Sequence, residues 1–223
     1  MLTWFAVALA GGAVTVAVGW GLRRSDGLGR PRPFPWVSVA LLVLLAVAGA
    51  VPGVLRAHQE RRLGRAASVL AGARVAVRCQ TLGGAFVDGG PELGYVRWRA
   101  DGHPEPWALL KRDQCRHLGA YVRSGRHRPS RDQVLAVHVL THEAMHLSGR
   151  LDEAAAECAA VQRDARTARL LGAADADAAG LAAAYWHDLY PLMPGGYRSP
   201  ECRSGGALDE RLADAPWLAP MRS

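Results

Sequence analysis

The chain has 223 residues, half of them apolar, and a formal charge of +7. All of its 27 basic residues except Lys111 are arginine. No basic run is interleaved with aromatics, as a nucleic-acid platform requires, so nucleic acid is not an expected partner. The apolar residues are concentrated in two long runs within residues 1–55, and the remainder has the composition of a soluble domain.

The first run, residues 2–22, is uncharged and long enough to span a bilayer. No basic residue precedes it and no clear small-residue cleavage site closes it, so it does not read as a signal peptide. Arg23 to Pro35 follows as a short loop with four arginines, kept non-helical by Pro31, Pro33 and Pro35. The second run, residues 36–55, starts at Trp36, with Pro52 and Gly53 near its far end. Residues 1–55 therefore predict a transmembrane hairpin in the cell membrane. The Arg-rich loop favours a cytoplasmic side for the turn, but Arg56, Arg61, Arg62 and Arg65 pull the other way.

Four cysteines follow the hairpin: Cys79, Cys115, Cys158 and Cys202. None forms a C-x-x-C pair, which argues against a zinc knuckle. An even count confined to one domain suits two disulfides in an oxidising compartment, and this tips the orientation towards an extracellular C-terminal domain. Of the three possible pairings we favour Cys79–Cys115 and Cys158–Cys202; the competing reading is four buried free thiols.

Residues 56–73 predict a juxtamembrane helix, and residues 74–223 an α+β domain. Alternation in Arg74–Cys79 and Gly94–Arg99, with turn signals between them and a further short strand near Trp107–Leu110, predicts a small antiparallel sheet. Trp98 and Trp107 read as core, as do Tyr185 and Trp186. Cys115 to Arg128 reads as helix or loop. Ser130 and Gln133 form a capping box that opens a helix ending at Gly149. Asp152 caps a second helix, Glu153–Leu171, and a third runs from about Ala174 to Leu189, where Pro191 stops it. The tail to Ser223 is irregular.

The helix from Ser130 carries His142-Glu143-Ala144-Met145-His146. Histidines four apart lie on one helix face and can reach one ion, with Glu143 beside it as a general base. The next helix presents Glu153 and Glu157, again four apart. His138, one turn before His142, reads as a packed or solvated histidine rather than a ligand.

Over residues 130–165 this stretch resembles the zincin metallopeptidases, and among them the gluzincins. The rest of the chain resembles uncharacterised actinobacterial membrane proteins. The zincin resemblance implies a zincin-like domain that binds Zn²⁺ through His142, His146 and Glu153, with Glu143 as catalytic base and Glu157 orienting a ligand histidine. It also implies a peptide or protein substrate. A competing alignment has metzincin spacing, with Asp152 as third ligand and Met193 in the Met-turn. Glu157 is the last choice for that ligand. The link between the two helices is shorter than in most gluzincins. An oxyanion donor is expected among Tyr185, His187, Tyr190, Tyr197 and Arg198. The residues from Gly94 to Arg99 are expected to receive substrate as an added strand. The alternative function is a non-catalytic, membrane-tethered metal-binding or sensing module.

Overall fold

A computed structural model describes residues 2–25 and 28–218; Met1, Asp26, Gly27 and residues 219–223, parts of the expected hairpin and tail, lie outside them. The chain divides into two compact units, residues 1–58 and 59–223.

The first unit holds helix α1, Leu2–Leu22, and the start of helix α2, Trp36–Ala71. Both helices are long and apolar enough to cross a membrane. Their large side chains, among them Trp4, Phe5, Trp36 and Val37, are exposed, while the small Ala6, Ala13 and Ala46 are buried. A Ser25–Pro31 bridge narrows the turn, and Trp20 Nε1 donates to Arg32 O at 3.0 Å. The helix expected over residues 56–73 is present as far as Ala71, and it continues the second apolar run without a break as α2. The change at Arg56 is from apolar to charged, and Arg, Ala, Leu, Gln and Glu are all strong helix formers. Pro52 sits inside the apolar half, where a membrane helix tolerates it.

The second unit is helix-rich, with one small sheet. Strands β1 (Ala76–Cys79), β2 (Gly94–Trp98) and β3 (Pro104–Leu110) lie in the order β1-β3-β2. The sheet is mixed, which corrects the antiparallel expectation. Strands β2 and β3 form a hairpin through Gly102, at φ +78°, and are antiparallel. Between β1 and β3 lie helix α3 (Leu82–Val87) and all of β2, and that long crossover returns the chain parallel. Trp98 and Trp107 are half-buried rather than core. Trp107 is covered by the Arg78 and Arg97 guanidiniums, 4.6 and 5.8 Å from its ring centre. Trp186 is also half-buried, while Tyr185 is fully enclosed.

Helix α4, Arg112–Arg123, fills the segment that the sequence left open. Helix α5, Arg131–Leu147, opens with the full Ser130/Gln133 capping box and packs against β2, β3 and α4. From Ala136 to Leu147 every side chain of α5 is buried, so its polar residues must find partners inside the protein. The expected helix 153–171 is two: α6, Glu153–Val161, and α7, Asp164–Leu170. Gln162 makes the break. Its buried Nε2 donates to Cys158 O at 3.0 Å and to Leu208 O at 2.9 Å, drawing the tail against the helix end. Helix α8, Asp175–Ala184, gives way to a π turn at Tyr185–Leu189 and a 3₁₀ turn ending at Leu192.

The disulfides are Cys79–Cys115, joining β1 to α4, and Cys158–Cys202, joining α6 to the tail. The second closes a separation of 44 residues. Replacing Cys158 and Cys202 together with serine is expected to destabilise the domain by about 2–4 kcal/mol. Thermal unfolding of the purified chain measures it; an unchanged midpoint would show that the tail is held by its other contacts.

Candidate metal centre

Helices α5 and α6 are joined by a five-residue turn, Ser148 to Asp152. Gly149 takes φ +98°, and Arg150 N donates back to Met145 O at 3.2 Å, closing the end of α5. Asp152 then caps α6, accepting from Ala155 N at 2.8 Å. This tight reversal lays the first turn of α6 against the last turns of α5.

Three atoms converge there. His142 Nε2 and His146 Nε2 are 2.9 Å apart, and Glu153 Oε2 lies 3.1 Å from the first and 3.3 Å from the second. Ligand atoms around a tetrahedral ion with bonds of about 2.0–2.1 Å lie roughly 3.3 Å apart, close to this spacing. The outer nitrogens set the tautomers. His146 Nδ1 is 2.6 Å from Arg150 O, and a carbonyl only accepts, so Nδ1 carries the hydrogen. His142 Nδ1 is 2.9 Å from Glu157 Oε2 and donates to it. Both Nε2 lone pairs therefore point at each other and at a carboxylate. Such a cluster of acceptors needs a shared cation, either a proton or a metal ion.

Charge in the site follows from burial and these contacts. Burial opposes protonation of His142, but hydrogen bonds to Glu153 and Glu157 outweigh it and raise the imidazole to about 9. His146 is lowered, first by burial and then by charge on His142. The hydrogen bond with His142 keeps Glu153 below the usual carboxylate value. Glu153 is half-exposed, while His142 and His146 are buried, so the cluster is open on the Glu153 side.

Glu157 stands behind His142. Although burial opposes its charge, the contacts from His138 and His142 lower it. Its Oε2 also takes His138 Nε2 at 2.9 Å, and its Oε1 accepts from Tyr185 OH at 2.5 Å. His138 Nδ1 lies 2.9 Å from Asp164 Oδ2. His138 is thus neither solvated nor merely packed. Sequence reasoning missed Asp164 and the Arg150 carbonyl, and it named Tyr185 as an oxyanion candidate rather than as the partner of Glu157. No local spacing pointed to Asp164, which lies beyond the break at Gln162, on α7.

Glu143 is the next residue round α5. It is 4% exposed, its Oε2 has no partner, and a Cβ at Gly94 would meet its Oε1 at 2.8 Å. Burial pushes it up to about 8. It lines a cavity of about 340 Å³ with His142, Leu93, Leu135, Val139, Met193 and Tyr197. Among the expected oxyanion donors, Tyr197 lies here, its ring 5.8 Å from that of His142. Tyr185 is committed to Glu157, while His187, Tyr190 and Arg198 line a separate groove. Asp152 is taken up in capping and stands outside the cluster.

Among the described residues, two His/Glu groups can hold a metal ion, the partly open His142/His146/Glu153 and the buried His138/His142/Glu157. In the second, ordinary hydrogen bonds already satisfy the His138 and His142 nitrogens, so the first is the better candidate. Compared with family models, curated proteins and solved structures, the chain matches none of them.

Proposed function

We propose that the chain is a membrane-anchored zinc metallopeptidase of the gluzincin kind, with His142, His146 and Glu153 as metal ligands and Glu143 as general base. The observation that carries this reading is the convergence of two Nε2 lone pairs and one carboxylate beside a buried, unpartnered Glu143 oxygen. Glu153 and Glu157 bring two carboxylates to the histidine cluster, a setting that favours a bound cation. Two histidines and a carboxylate are the donor set of catalytic zinc, with one position left open.

Bound zinc would supply a Lewis acid that polarises the scissile carbonyl and makes water acidic near neutral pH. The protein does the rest. Glu143 takes a proton from the attacking water on Oε2 and returns it to the leaving nitrogen. Tyr197 donates its hydroxyl hydrogen to the developing oxyanion. Glu157 holds His142 in one tautomer. Among the described residues β2 is the edge strand of the sheet, paired with β3, and its other edge is the one that would receive an extended peptide, with Gly94 directly against Glu143. Side chains on that peptide have the largely apolar cavity between Leu93 and Met193 to enter. Helices α1 and the apolar half of α2 span the cell membrane, and the two disulfides suit an extracellular catalytic domain.

The test is cleavage of a mixed peptide library by the full-length, zinc-loaded chain in detergent. Hydrolysis that disappears in Glu143→Gln supports the reading; no cleavage of any peptide by the native chain contradicts it. Tyr197→Phe is expected to keep zinc and lower kcat about 100-fold. A native kcat in that variant would remove Tyr197 from the reaction.

A further inference from the structure

His138 has no place in the reaction as written, yet it is among the most completely buried polar groups in the protein, at 1% exposure. Its ring is fixed on three sides. Nδ1 meets Asp164 Oδ2 at 2.9 Å, Nε2 meets Glu157 Oε2 at 2.9 Å, and the Tyr185 ring stacks on it at 3.5 Å with an 8° tilt. A ring with a carboxylate at each nitrogen donates at both ends and serves as a fixed internal cation.

The two glutamates of α6 differ sharply in consequence. Glu157 receives three donors, from His138, His142 and Tyr185, which leaves its oxygens engaged. The described contacts of the Glu153 carboxylate are to the two Nε2 atoms. Both glutamates are one helical turn apart and both can reach His142, so something must decide which one meets the metal.

We propose that His138, anchored by Asp164, is the positioning residue that makes this choice: it pins Glu157 as the acceptor for His142 Nδ1 and so reserves the metal for Glu153. The proposal rests on the metal reading above. It assigns His138 no contact with substrate or ion.

The experiment measures zinc affinity and the visible spectrum of the cobalt-loaded, full-length chain in detergent, for native protein, His138→Gln, Glu153→Gln and the double variant. A glutamine cannot donate to Asp164 and Glu157 at opposite ends of one rigid ring. His138→Gln is expected to weaken zinc about 10–100-fold and to change the cobalt spectrum. Glu153→Gln is expected to cost less affinity in the His138→Gln background than alone, because the released Glu157 takes over as ligand. If His138→Gln fails to fold, Asp164→Asn, which preserves shape, is expected to weaken zinc several-fold; unchanged affinity there counts against the proposal. Native affinity and spectrum in His138→Gln with only a lowered melting temperature would make His138 structural and overturn it, as would strictly additive losses in the double variant. A native chain that binds neither zinc nor cobalt would overturn the metal reading and this inference together.

Discussion

Replacing Glu143 with glutamine is expected to leave zinc binding intact and to lower peptide hydrolysis by at least about 10²–10⁴-fold, the range that a general base contributes. Zinc content and kcat on the same preparation measure it. The expectation is sharp because Glu143 stands apart from the ligand cluster. Its Oε2 has no partner and its Oε1 lies against the Gly94 backbone, so an amide of the same shape fits. The amide cannot accept and return a proton. Residual hydrolysis at the native rate would remove Glu143 as base. Native function in cells with Glu143→Gln would instead favour a metal-binding module without catalysis.

The second large effect concerns the third ligand. Glu153→Ala is expected to weaken zinc by more than the roughly 10–100-fold typical of an outer partner, because it deletes a ligand outright. Asp152→Ala is expected to leave zinc affinity unchanged and to cost about 1 kcal/mol of stability through the lost α6 cap. Competition with a chelator reads the affinities, and thermal unfolding reads the cap. The reverse pattern, with Asp152 controlling zinc and Glu153 silent, would transfer the ligand role and favour the metzincin-type alignment.

Local signals in the sequence marked much of this arrangement. The Ser130 capping box, the Gly149 turn and the Asp152 cap each depend on a few neighbouring residues, and together they set the α5–α6 reversal that brings Glu153 to the two histidines. Long-range features were not legible. The parallel pairing of β1 with β3 depends on how a whole crossover packs. The break at Gln162 depends on Leu208 and Glu210, nearly fifty residues away. Trp98 and Trp107 read as core because indole is large and apolar, but an Arg-rich sheet face covers Trp107 with guanidiniums instead. His138 read as bland because its two carboxylate partners lie 19 and 26 residues downstream, on separate helices.

The central claim is that the tautomer-fixed histidine pair holds a zinc ion with Glu153. The most direct measurement is zinc per chain in the full-length protein, purified in detergent and dialysed free of loose metal, beside a His142→Ala/His146→Ala double variant prepared identically. One zinc per native chain and none in the variant is the predicted result. A metal-free native chain that stays folded after exposure to zinc, or equal zinc in both proteins, would contradict it.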